Sequence, residues 1–200
     1  MENNNLIAIN EKSLNRIIDK HGYNGYAIVS AYRHDKTPAE NRKNHLALID
    51  DVNKAGFAYM KMFGGFIEDI DTDNPIEVKE PVLFITNFQR GSVKPLENTD
   101  KLKKLAMDLC VKYNQDSVLF KDIDSEPMYI DKEGNVDFQF SGNLSTNNTS
   151  EPYFTSINKN NNGRFTYKEC YIVKAPNTFS QRHISFLKGE IIITERFLNS

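Results

Sequence analysis

The stretch "YAIVSAYRHDKTPAE", residues 26–40, decides how the rest of the chain reads. Its first half, "YAIVSAY", is an almost unbroken apolar run of β-branched and aromatic residues, the pattern of a central strand covered on both faces. Its second half begins a helix. Thr37 suits the N-cap, Pro38 suits the first helical position because its missing N–H would go unused there, and Glu40 completes a capping box. The helix is expected to run to about Lys54, with Leu46, Ile49 and Val52 among its buried residues and Gly56 closing it.

Outward from this strand–helix pair the signals alternate. Before it, Leu14, Ile17, Ile18 and His21 keep helical spacing after a possible Asn10 cap, and Gly22 ends that short helix. After it come a strand from Phe57, an acidic connection over residues 68–80, and the strand "VLFITN" at 82–87. A third helix is expected over about 99–112, where Leu102, Leu105, Ala106, Leu109 and Tyr113 form an apolar stripe beside Lys101, Lys103 and Lys104. "SVLF" at 117–120 reads as a strand, and residues 128–138 read as a hairpin turning at Glu133, Gly134 and Asn135.

Residues 141–163 change composition sharply, to a polar Asn- and Ser-rich loop, and strand patterns return around 165–173 and 184–197. The expected fold class is α+β: a mixed β-sheet with about three helices packed on it. Residues 1–140 form the main domain, 141–163 the loop, and 164–200 a β-rich C-terminal extension packed on the main domain.

Composition sets outer limits. Of 200 residues, 39% are hydrophobic and 26% charged, which supplies a sizeable core and argues against global disorder. The 25 basic and 27 acidic residues leave a net charge of -2, so nucleic acid is not favoured as a partner. The longest apolar runs fall far short of the roughly 20 residues that span a bilayer. The acidic start "MENNNLIAIN" is unlike a secretory leader, and the expectation is a cytoplasmic protein without a membrane partner. Cys110 and Cys170 lack the spacing of a zinc or redox motif and read as buried thiols.

The segment "DIDTDNPIEVKE", residues 69–80, resembles a twelve-residue calcium loop, with Asp69, Asp71, Asp73 and Glu80 at ligand positions. Asn74 stands where that loop needs Gly, and the flanks read as strands rather than helices. An acidic hairpin connection is the competing reading. No cofactor other than calcium is suggested, because nucleophile elbows and Gly-rich phosphate loops are absent. Arg33, Asn41, Arg42, Asn44 and His45 gather at the start of the capped helix, where the helix N-terminus favours an anion.

Four segments, "SAYRHDKTPAENRKNHLALIDDVNKAGF" (30–57), "KMFGGFIE" (61–68), "EPVLFI" (80–85) and "LAMDLCVKYNQDSVLF" (105–120), resemble domain-of-unknown-function family 3293, found in bacteria and phages. The pattern appears at residues 30–32, Asn41 and Arg42, Gly56, Gly65, Glu80 and Pro81, and residues 115–118. Val82 departs from it where a Ser would follow Glu-Pro. The resemblance implies a fold and a bacterial or phage setting, and no reaction.

If the four apolar runs share one sheet, Arg33, Glu68, Glu80 and Gln115 all lie at or near strand ends, where crevices form. Glu80, Gln115 and Arg33 are expected to meet in a polar cluster. The leading expectation is a small cytoplasmic phage-type accessory protein acting by macromolecular binding, as a host-interaction factor or a virion-associated protein, with a host or virion protein as its partner. The alternative is an enzyme acting on a nucleotide or nucleic acid, with Glu68, Glu80 and Gln115 as candidate catalytic residues and Arg33, Asn41, Arg42, Gln115 and Ser117 lining the ligand site. A calcium-binding module through the 69–80 loop is a further alternative.

Overall fold

The computed structural model describes residues 20–68, 76–145, 153–156 and 164–171. Strand β1 (Tyr26–Ser30) leads through helix α1 (Pro38–Lys54) to β2 (Phe57–Glu68) and β3 (Ile76–Gln89). Helix α2 (Asp100–Lys112) then leads to β4 (Val118–Lys121), β5 (Met128–Ile130), β6 (Val136–Ser145), β7 (Tyr153–Ser156) and β8 (Arg164–Tyr171). The fold is α+β. The described residues hold two full helices; the helix expected from Leu14 lies outside them, apart from helical residues 20 and 21.

Among the described residues every strand pairing is antiparallel, which corrects the expected mixed sheet. The reason is topological. Each helix carries the chain over a neighbouring strand: β3 inserts between β1 and β2, and β1 between β3 and β4, so no crossover joins adjacent strands. The spatial order β4-β1-β3-β2 is that of the split βαβ arrangement. Five strands, β2-β3-β1-β4-β5, form the sheet beneath the helices, and β7, β8 and β6 continue it until it closes on itself. Residues 164–171 pair with both β6 and β7, and residues 172–200 lie outside the described part.

The core lies between this sheet and the helices. Ala27, Val29, Leu83, Ile85, Val118, Phe120 and Ile130 face Leu48 and Val52 of α1 and Leu102, Ala106 and Leu109 of α2. Each large apolar side chain so buried contributes about 1.5–3 kcal/mol relative to exposure. Leu46, expected inside, is 57% exposed, while Leu48 is fully buried. The buried stripe of α1 runs through Asn41, Leu48 and Val52, and Leu46 stands two residues, about 200° around the helix, from Leu48.

The capping box of α1 forms as the sequence implied: Thr37 Oγ1 accepts from Glu40 N, and the Glu40 carboxylate accepts from Thr37 N at 2.9 Å. At the other end Gly56, with φ +80°, takes the left-handed conformation that lets the chain leave the helix and enter β2. The acidic connection at 69–75 lies outside the described residues, but it joins a long hairpin in which Glu68 pairs with Ile76 and Gly64 with Glu80.

Candidate active site at the edge of strand β1

Strand β1 stops at Ser30, paired with Val82. The next partner on β3 would be Pro81. Its carbonyl faces β1, 3.5 Å from Ser30 Oγ, and its nitrogen carries no hydrogen to continue the ladder. The chain therefore turns away, and β3 beyond Val82 loses its neighbour on that side. Glu80 sits at this uncovered edge. By strand alternation it shares a face with Val82 and Phe84, opposite the helices. Across from it on β2 stands Gly64, whose missing side chain leaves room: a Cβ there would lie 2.9 Å from Val82 Cγ1.

Surroundings of this kind change the acidity of a carboxyl. Burial pushes the Glu80 carboxyl up to about 7, and a hydrogen bond from the Ser30 hydroxyl, which favours the charged form, pulls the other way. Some of the residue remains open to solvent. A group that titrates near neutrality is suited to hold, give or take a proton, or to meet a positive charge.

Ser30 is itself fixed. The Tyr32 amide donates to Ser30 Oγ at 3.0 Å, and the Tyr32 carbonyl accepts from Gln115 Nε2 at 3.1 Å. Gln115 also donates to Tyr113 O at 3.3 Å, and its backbone amide donates to Cys110 O at 2.9 Å beyond the end of α2. Asn114, at φ +50°, makes the turn that sends the chain from α2 toward β4. The polar junction after α2 thus ties the helix end to the end of β1.

The expected cluster of Glu80, Gln115 and Arg33 is connected through backbone rather than by direct contact. Gln115 reaches Glu80 through Tyr32 and Ser30. Arg33 turns instead to Asp35, with Nε 3.0 Å from Oδ1, and its Nη1 donates to Asn114 O. Asn41 is buried and holds Arg33 by its main chain: Oδ1 accepts from Arg33 N at 2.9 Å and Nδ2 donates to Arg33 O at 2.9 Å. Arg42 is exposed on α1, and Ser117 is half-buried just before β4. Glu68 ends β2, at the far end of the hairpin from Gly56.

Asp69, Asp71 and Asp73 of the expected calcium loop lie outside the described residues. Among the described residues no three His, Cys, Asp or Glu side chains gather as a metal would require. Sequence reading missed Ser30 as the partner of Glu80; the available signal was a lone serine inside the apolar run "YAIVSAY". It also missed the pair formed by Tyr32 and His45, whose rings meet edge-on at 6.0 Å. Burial, with the nearby Lys61, lowers the His45 pKa.

A surface hollow of about 390 Å³ is lined by Asn53, Phe57, Tyr59, Lys61 and Arg90. It lies on the helix side of the hairpin and so on the opposite face from Glu80. Shape alone would favour the hollow. The carboxyl, with its shifted acidity and second-partner support, is the better-founded centre of chemistry.

The chain is thus a small α+β protein with a split βαβ sheet and, at the sheet's edge, a carboxyl whose pKa burial raises. Residues 27–174 match the model of the S-adenosylmethionine lyase family, and the chain belongs to that family. No curated protein matches it.

The match corrects two expectations. The family is a different one from domain-of-unknown-function family 3293, whose resemblance rested on dispersed short patterns without a chemical signature. The membership also points to an enzyme, so the reading as a phage-type accessory protein that binds a host or virion partner is withdrawn. Among the described residues no helix is long and apolar enough to cross a membrane.

Proposed function

We propose that the protein cleaves a carbon–sulfur bond of S-adenosylmethionine, with Glu80 as the side chain that meets the positively charged end of the substrate. The family name supplies the substrate and the class of reaction, that of a lyase. The observation that carries the assignment of Glu80 is its place: a carboxyl titrating near 7, at an uncovered strand edge, opposite a glycine.

The chemistry asks little proton transfer of the protein. A sulfonium leaves as a neutral thioether, so no acid is needed to expel it. Elimination would require removing a proton from an unactivated carbon, a task far beyond a carboxylate with a pKa near 7. The substrate's own carboxylate is better placed. Its oxygen forms a bond to the carbon bearing sulfur, the carbon–sulfur bond breaks with its electron pair going to sulfur, and a lactone and methylthioadenosine result with no net change in protons. The enzyme's work in this reading is to fold the amino-acid end back on itself. Ionised Glu80 does so by pairing with the α-ammonium group, and burial strengthens that pairing.

The test is product analysis. Purified protein incubated with S-adenosylmethionine in oxygen-labelled water should release methylthioadenosine and an unlabelled four-carbon lactone, and Glu80→Gln should lose most of this activity. Absence of methylthioadenosine, or an equal rate from Glu80→Gln, would overturn the proposal.

A further inference from the structure

We infer that Ser30 is a positioning residue whose hydroxyl turns with the protonation state of Glu80, so that the carboxyl keeps a hydrogen-bond partner both charged and neutral. The inference deepens the proposed role of Glu80 and rests on it only for its catalytic consequence.

The argument is a count of protons and lone pairs. A serine hydroxyl offers one proton and two lone pairs. One lone pair of Ser30 is taken by the Tyr32 amide at 3.0 Å. That amide cannot drift, because the Tyr32 carbonyl at the other side of the residue is held by Gln115 Nε2 at 3.1 Å. The Ser30 proton then has two acceptors within reach: the Glu80 carboxylate, and Pro81 O at 3.5 Å.

With Glu80 ionised, Ser30 donates to it. When Glu80 takes a proton from solvent, the new O–H needs an acceptor, and the free lone pair of Ser30 supplies one. The Ser30 proton then swings to Pro81 O. In both states each group has a partner, and the movement is a rotation about one bond. Alanine at position 30 would provide neither arrangement. Threonine would provide both.

Among the described residues no charged side chain competes for this role. On β1 the facing group is Ser30, and on β2 it is Gly64. On β3 itself Lys79 alternates to the other face, and the Arg33 guanidinium is engaged with Asp35 and Asn114. Among the described residues, burial and Ser30 are the influences on Glu80.

The experiment is a carbon-13 NMR pH titration of the full chain, with the Glu80 carboxyl identified by its absence in Glu80→Gln. In the wild type the Pro81 carbonyl carbon should shift with the same midpoint as Glu80. In Ser30→Thr the shift should persist. In Ser30→Ala it should vanish, and the Glu80 midpoint should rise by roughly one unit, the excess of a hydrogen bond to the charged carboxylate over one to the neutral carboxyl. A Pro81 carbonyl indifferent to Glu80 titration in the wild type overturns the inference, whether or not Ser30→Ala folds. The measurement needs no turnover, so failure to cleave S-adenosylmethionine would sink the proposed function and leave this result to be judged by itself. If both hold, the pH midpoint of the activity should rise in Ser30→Ala and return in Ser30→Thr.

Discussion

Gln115 Nε2 donates to the carbonyl of Tyr32 at 3.1 Å, across 83 residues of chain, and so fastens the end of α2 to the end of β1. Neither partner lies in a regular element. Each sits just past one, where main-chain groups lack ladder or helix partners and a side chain must satisfy them.

Removing that link should loosen the edge without unfolding the sheet. Gln115→Ala is expected to cost about 1–2 kcal/mol, the loss of side-chain donors to two carbonyls that water only partly replaces. Gln115→Glu should cost at least as much, because a carboxylate has no N–H to donate. Urea denaturation of the three proteins measures this, and an unchanged midpoint for Gln115→Ala would refute it.

Glu80 should make the protein less stable as pH rises. Its folded pKa of about 7 exceeds its ordinary 4.5, so between those values the folded chain retains a proton that the unfolded chain has lost. Stability therefore falls through that window, with no penalty below it and the full penalty above it. Glu80→Gln removes the titration. At about pH 8 the variant should be more stable than wild type by on the order of 2 kcal/mol, less than the full shift implies because solvent reaches part of the group. Near pH 4 the two should converge. Calorimetric Tm values across the range check the sign: a difference between the proteins that does not vary with pH would contradict it.

Asn41 carries more of the fold than its polarity suggests. Its amide satisfies both main-chain groups of Arg33 from a buried position on α1, joining the β1 exit to the helix that follows. Asn41→Ala is expected to cost about 2–3 kcal/mol, since a buried N–H and C=O lose their partners together. Asn41→Asp should recover only the bond accepted from Arg33 N. Thermal unfolding of both variants would show the ranking, and equal Tm values for wild type and Asn41→Ala would refute it.

Gly64 is required for space. An added Cβ would lie 2.9 Å from Val82 Cγ1, closer than such atoms approach, and it would intrude on the side of β2 facing Glu80. Gly64→Ala should therefore be destabilising by about 1–3 kcal/mol, the usual cost of overpacking, and should depress activity. Val82→Ala removes the clashing methyl groups. The double variant should be more stable than the sum of the two single losses implies, and strict additivity in a double-mutant cycle would exclude the clash as the cause.

Much of the frame was legible in the chain itself. Thr37, Pro38 and Glu40 specify the start of α1 by local chemistry, and Gly56 its end, because capping depends on residues three or four positions apart. The apolar runs of β1, β3 and β4 and the stripe of α2 follow from periodicity, which is also local. These signals fixed the α+β class. They placed Leu46 on the wrong side because apolar residues on an amphipathic helix outnumber those the core admits, and only the packed sheet selects among them.

The candidate site divided along the same line. Glu80 and Gln115 stand out in sequence as polar residues beside apolar strands, yet nothing local says that Ser30 and the Tyr32 backbone connect them, or that Gly64 faces Glu80. Those are consequences of register, and register is set by how β3 threads between β1 and β2. The antiparallel order, the early end of β1 opposite Pro81 and the raised pKa of Glu80 all depend on strands distant along the chain lying side by side. Propensity and capping act over a few residues and could be read directly. Pairing and desolvation act across the fold and were decided only when the sheet closed over its core.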